Sequence, residues 1–155
     1  MAIRPNQLVH LAIFALFMLG ADPARHGGHA QTGKIASIKV SGSHRFSEEQ
    51  IAAASGVHLG DSVRREDIQA AADRLAQLGP FSQVQYRFSS AQENLTVEFQ
   101  VEDATEVPVS FDNFPWFTNA ELTQALRGSV VLFDGNAPEQ GAILEAMTRA
   151  LQKLL

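Results

Sequence analysis

The stretch AADRLAQLGPFSQVQYRF, Ala71–Phe88, restricts most what this chain can fold into. It closes a longer run, REDIQAAADRLAQL, in which Ile68, Ala71, Ala72, Leu75 and Leu78 recur at helical spacing and form one apolar face. Gly79 stands where a helix end wants a left-handed residue. Pro80 has no N–H and cannot continue the helix. The period then drops to two: Val84, Tyr86 and Phe88 line one side, and Gln83, Gln85 and Arg87 the other. After a turn, SSAQEN, the alternation returns in LTVEFQVED with Leu95, Val97, Phe99 and Val101 inward. A helix that stops on Gly-Pro and feeds a hairpin with one dry face has that face to pack against.

Upstream, KIASIKVSG (Lys34–Gly42) alternates as a strand, with Ile38 and Val40 on one side and Ser37 and Lys39 on the other. FSEEQI follows. Ser47 and Gln50 have capping-box spacing, and Phe46 and Ile51 stand at the positions of a hydrophobic staple. A short helix is predicted over Glu48–Ser55, stopped by Gly56. GVHLGDSV reads as a loop with apolar anchors at Val57, Leu59 and Val63. The order is β-α-α-β-β, and the fold class α+β: a three-stranded sheet covered on one face by two helices.

The next segment repeats the first. At an offset of 71, Ile38 falls on Val109, Val40 on Phe111, Phe46 on Phe117 and Ile51 on Leu122, with Thr118 and Glu121 renewing the capping box. Gly56 is matched one residue later by Gly128. At an offset of 76, Ile68 meets Leu144, Leu75 meets Leu151 and Leu78 meets Leu154. The second unit so read has a strand and two helices and lacks its last two strands. Either the sequence is a piece of a longer protein, or something else supplies the missing sheet over Ile143, Leu144, Met147, Leu151 and Leu154. The expected division is 1–30 leader, 31–104 first unit and 105–155 incomplete second unit.

The leader is read from Arg4, the short apolar run LAIFALFML and the small residues of GGHA, the pattern of a secretory signal peptide with cleavage after Ala30. Its alternative is a membrane anchor over Leu8–Ala21. The chain has 12 basic and 17 acidic residues, and without residues 1–30 it has 10 and 16. No basic patch argues for nucleic acid. There is no cysteine, hence no disulfide and no thiolate chemistry.

The strand IKVSGSHRFS, the glycines of GVHLGDSV and above all AADRLAQLGPFSQVQYRF resemble polypeptide-transport-associated (POTRA) domains. These are the periplasmic modules that precede the barrel in the BamA/TamA-type outer-membrane assembly family. The resemblance covers residues 34–102 fully and 106–155 in part, and its motif bears the fold and holds no catalytic residue. It implies a non-enzymatic module, exported to the periplasm, without cofactor or metal. The implied partners are extended outer-membrane client polypeptides or assembly-machine subunits, with the outer membrane reached through a C-terminal barrel if the chain is a fragment. The alternative is a scaffold of a division-septum or two-partner secretion protein.

Such modules take up peptides by strand addition, and the residues support it independently. An edge strand leaves unpaired N–H and C=O groups that an extended peptide satisfies. Ser82, Gln83, Val84, Gln85, Tyr86, Arg87 and Phe88 are the candidate edge, because Arg87 is the one charge guarding it. Phe114, Pro115, Trp116 and Phe117 form the most unusual stretch, read either as a core corner around Pro115 or as an aromatic partner patch. His26 and His29 lack a third metal ligand nearby. Ser55, His58 and Asp61 are close in sequence, but no nucleophile elbow frames them.

Overall fold

The computed structural model describes residues 32–91 and 94–154. The expected leader with its expected cleavage site, and His26 and His29, lie outside the described residues. In chain order the elements are β1 Gly33–Ser41, α1 Glu48–Ser55, β2 Ser62–Val63, α2 Arg65–Leu78, β3 Phe81–Ala91, β4 Asn94–Asp103, β5 Glu106–Pro108, α3 Asn119–Ser129, β6 Asn136–Pro138 and α4 Ala142–Gln152.

Both helices of the first unit form where their end signals stand. The Gln50 N–H donates to Ser47 Oγ at 3.3 Å, and the Ser47 N–H donates to Gln50 Oε1 at 2.9 Å, so two free donors at the start of α1 are satisfied reciprocally. The staple residues Phe46 and Ile51 are buried. Gly79 closes α2 with φ +110°. Phe81 turns back under α2 and meets the Phe46 ring edge-to-face, centroids 5.9 Å apart.

The main sheet corrects the expected three strands to four, in the order β2-β1-β4-β3. Ser62 and Val63, read as loop, pair antiparallel with Lys34 and Gly33. Two residues are too short a run for alternation to reveal. β4 lies inside the sheet, antiparallel to β3 and parallel to β1. Its Leu95, Val97, Phe99 and Val101 are all buried, as the alternation requires. A bulge between Ile35 and Ser37 lets Ile35 share the inward face of Ile38 and Val40. Val57 and Val63 are buried anchors. Leu59 is not, being 67% exposed.

The second half departs from its expected register. Val109 and Phe111 are not strand residues, since β5 ends at Pro108. β5 pairs only with β6 among the described residues, and a strand forms only where a ladder holds it. Gly128 does not stop a helix either. α3 runs through it to Ser129, and the Val130 N–H bonds Leu126 O at 2.8 Å. The β5–β6 pair nevertheless repeats the β1–β2 pair. Pro108 faces Asn136 as Lys34 faces Ser62, and the Val109 N–H bonds Gly135 O at 3.0 Å as the Ile35 N–H bonds Asp61 O at 2.9 Å. The strands thus correspond at an offset of 74, while the capping boxes keep 71. The N-cap Thr118 follows Pro108 by 10 residues, where the N-cap Ser47 follows Lys34 by 13.

The two halves share one buried cluster. It runs from Ile35, Ile68, Leu75 and Phe99 in the first to Leu126, Phe133, Ile143 and Met147 in the second.

Candidate functional site

The sheet has two outer strands, and they are not equally open. On the β1 side, β2 covers Gly33 and Lys34. The Gly60 N–H bonds Ile35 O at 2.7 Å, and the Glu48 carboxylate accepts the Val40 N–H at 3.1 Å. On the other side β3 is the last strand, with β4 as its one strand neighbour among the described residues. Ser82–Phe88 therefore lies on the sheet's open edge, a position that follows from β4 pairing with β1.

That edge is lightly guarded. Ser82, Gln83, Gln85 and Arg87 are exposed, and Val84 and Tyr86 are half-buried against α2. The Tyr86 hydroxyl donates to Gln69 Oε1 at 2.6 Å, which ties the strand to the helix above it. Phe88, expected inward, is 40% exposed, with the Arg65 guanidinium 5.9 Å from its ring centroid. An incoming strand would find backbone at the edge and a strip of Val84, Tyr86 and Phe88 on the helix side.

The aromatic stretch does not form a core corner around Pro115. Pro115 is exposed and Trp116 is 81% exposed. Phe114 and Phe117 are half-buried, and Phe114 rests edge-on against Phe111, centroids 6.3 Å apart. The strand ends at Pro108 and α3 starts at Asn119 with its own capping box, so Pro115 and Trp116 are left on the connection outside both elements. In that box the Thr118 N–H donates to Glu121 at 2.8 Å and holds the Glu121 carboxyl below its usual range.

A third feature has no signature in the sequence. The turn after β1 is pinned by Asp103 at the end of β4, which accepts from Ser43 Oγ and the His44 N–H, both at 2.8 Å. This presents Arg45 to the second half. Its Nη2 lies 2.5 Å from both Glu106 Oε2 and Asp134 Oδ2, and its Nε donates to Asp134 at 3.1 Å. The Glu106 side chain is 4% exposed. The bond to Glu106 raises the Arg45 pKa further above its ordinary value. Burial pushes the Asp134 carboxyl up, but the bonds from Arg45 and Asn136 outweigh it and hold it below the usual range. Beside this clamp the chain backbones touch. A Cβ on Gly79 would overlap the Gln140 carbonyl, and one on Gly141 would overlap the Leu78 carbonyl and lie 2.6 Å from Gly79 Cα. Residues 45, 106 and 134 share no local spacing, so only the fold reveals them together.

Ser55, His58 and Asp61 do not assemble as a nucleophilic set. Ser55 is buried, and its hydroxyl donates to Ala52 O at 2.6 Å, while exposed His58 stands 3.5 Å from Asp61. Among the described residues no group of three or more His, Cys, Asp or Glu could hold a metal ion, and no helix is long and apolar enough to cross a membrane.

Residues 33–104, the span from β1 to just past β4, match the family model of POTRA, described as a surface antigen variable number repeat. No curated protein matches the chain. Among solved structures, POTRA1-2 of the periplasmic domain of Omp85 from Anabaena is 16% identical over 79% of this chain and 76% of that one, with a TM-score of 0.46. The N-terminal domain of Omp85 from the thermophilic cyanobacterium Thermosynechococcus elongatus is 13% identical over 79% and 49%, with a TM-score of 0.44. POTRA3-5 of Haemophilus influenzae BamA is 19% identical over 79% and 50%, with a TM-score of 0.39. The chain spans about half the length of these last two. These likenesses are distant, and the assignment rests on the model match: residues 33–104 of this chain form a POTRA domain.

Proposed function

We propose that this protein is a periplasmic, non-enzymatic interaction module of an outer-membrane protein assembly or polypeptide-translocation system, and that it takes up extended polypeptide along β3. Residues 105–155 are, in this reading, a second and incomplete unit of the same kind, which the recurring strand pair and capping box support. The POTRA match over residues 33–104 supports the class of function. The observation that carries the binding mode is the asymmetry of the sheet. Its β1 side is closed by β2, the Gly60 N–H and Glu48, while β3 is outermost and bears one charge, Arg87, between Ser82 and Phe88.

Strand addition at such an edge draws its affinity from main-chain bonds, each contributing a net ~0.5–1.5 kcal/mol. Outward side chains matter little and backbone donors matter a great deal. The test is to titrate extended peptides with alternating apolar residues into the chain and follow backbone amides by NMR. Shifts should concentrate on residues 82–88, persist in Gln85→Ala and vanish in Gln85→Pro, a change that edge strands tolerate. Equal binding by both variants, or shifts confined to the helices, would count against the edge.

A further inference from the structure

The helix beside the open edge carries a row of its own. Arg65, Gln69 and Asp73 recur every four residues along α2, and all three are exposed. Two contacts fix how this row lies against β3. The Arg65 guanidinium is 5.9 Å from the Phe88 ring centroid, and the Tyr86 hydroxyl donates to Gln69 Oε1 at 2.6 Å. Four helix residues rise about 6 Å and two strand residues advance about 6.6 Å, so the row and the strand stay in step. Asp73, the next residue of the row, therefore stands at the level of Val84. It is held from Gln69, whose Nε2 donates to Asp73 Oδ1 at 2.8 Å.

The strip of Phe88, Tyr86 and Val84 is thus flanked by a cation at one end, a neutral amide in the middle and an anion at the other. Neither end charge has an ion-pair partner among the described residues. The neighbouring charges on α2 are engaged elsewhere: Arg74 bonds the Ser55 carbonyl, and Asp67 pairs with Arg64. On the other face of the sheet Arg87 has Glu98 directly opposite it in the ladder. The helix side of the edge instead holds two unanswered charges of opposite sign, about 12 Å apart along the row.

A strand added to β3 would place every second side chain on this helix side. Two of its residues four positions apart lie about 13 Å from each other, which matches the spacing of Arg65 and Asp73. The residue midway between them would meet Tyr86.

We propose that this row selects extended segments with an acidic and a basic side chain four residues apart on one face, and that the order of the two charges sets the direction of pairing. β3 runs from Val84 towards Phe88, so an acid-first segment brings its acid to Arg65 and its base to Asp73 when it lies antiparallel. A base-first segment does so when it lies parallel. The proposal rests on strand addition along β3 and specifies which strands are taken and which way round.

The test uses the full chain and two end-blocked peptides of equal composition. One has Asp-Thr-Leu-Thr-Lys at its centre and the other Lys-Thr-Leu-Thr-Asp, and each carries a nitroxide at its N-terminus. Broadening of the backbone amides in NMR locates that terminus. It should fall on residues 88–90 with the first peptide and on residues 82–84 with the second. Arg65→Glu combined with Asp73→Lys should exchange the two patterns. Arg65→Gln combined with Asp73→Asn should keep both peptides on residues 82–88 and remove the preferred direction. A peptide with Lys at both charged positions should bind about three- to tenfold more weakly than either, because an exposed ion pair is replaced by a like-charge contact. Both substituted positions are exposed, so the variants should melt like the parent. Binding on residues 82–88 in one direction for both peptides, or a charge exchange that changes nothing, would overturn the charge row and leave strand addition standing. Shifts on residues 82–88 with none of the peptides would overturn both.

Discussion

Two glycines close helices of the first unit with positive φ, Gly56 at +77° and Gly79 at +110°. Alanine at either position carries the left-handed backbone cost of about 1–2 kcal/mol. The surroundings differ. A Cβ on Gly56 would meet the guanidinium of Arg74, the far end of a flexible side chain that bonds the Ser55 carbonyl and can swing away. A Cβ on Gly79 would overlap the Gln140 carbonyl oxygen and come within 2.9 Å of Pro138 Cγ, and a backbone carbonyl and a proline ring move only with the second half. Overpacking of that kind costs a further ~1–3 kcal/mol. Gly79→Ala should therefore destabilise by about 2–5 kcal/mol and Gly56→Ala by about 1–2 kcal/mol. For a fold of roughly this size, 1 kcal/mol moves Tm by about 3–6 °C, so the two variants should melt several degrees apart. Thermal and urea unfolding of the full chain, followed by circular dichroism, measures both. If the two alanine variants melt together, the end of α2 is not a close crossing with the second half, and the argument for a rigid backbone contact there fails.

Arg45→Met should cost about 3 kcal/mol, because it leaves the buried Glu106 carboxylate without its partner. Urea unfolding checks this, and a midpoint shift near zero would mean that the clamp is held by water in place of the arginine. The Asp134 carboxyl titrates below its ordinary value of 3.8 in the folded chain, so its stabilising contribution is present above that value and is lost as pH falls through and below it. Asp134→Asn should accordingly flatten the acid limb of stability against pH and leave its shape above pH ~5 unchanged. Residues 31–104 hold β1–β4 with both covering helices, and expressed alone they should melt cooperatively, below the temperature of the full chain, since Phe133, Ile143 and Met147 no longer add to the core. Featureless circular dichroism from that fragment would sink the domain boundary.

Legibility followed the range of the interactions. The Ser47–Gln50 box, the Gly79-Pro80 stop and the inward set of β4 are contacts between residues a few positions apart, and their spacing is visible in one dimension. β2 was missed because two residues show no period and form a strand only when β1 is beside them. The expected strand at Val109–Phe111 failed for the converse reason: its apolar pattern is right, but among the described residues no ladder reaches it. Leu59 was misread as an anchor because its neighbours Val57 and Val63 are anchors, and hydrophobicity alone does not tell an inward leucine from an outward one. The position of β3 at an edge depends on β4 pairing with β1, and the Arg45 clamp depends on how two halves meet. Neither can be read from spacing.

The parallel pairing of β1 with β4 also governs the order of assembly. Lys34 waits for Asn94, and Val40 for Phe99, while β3 meets β4 across a local hairpin and α2 leads straight into β3. Closing the long loop is entropically costly until the hairpin and α2 already offer a surface, so the first strand made, with β2 on its outer side, is the last of the sheet to dock. In a chain that emerges N-terminus first, the β4 side of β1 is left unpaired for that interval, with Ile35, Ile38 and Val40 on one face. During that interval it is the part of the domain most open to holdase chaperones and to mispairing with another chain. Slowing the appearance of β4 by synonymous codons should lengthen this window and lower the yield of folded protein without altering a single native contact.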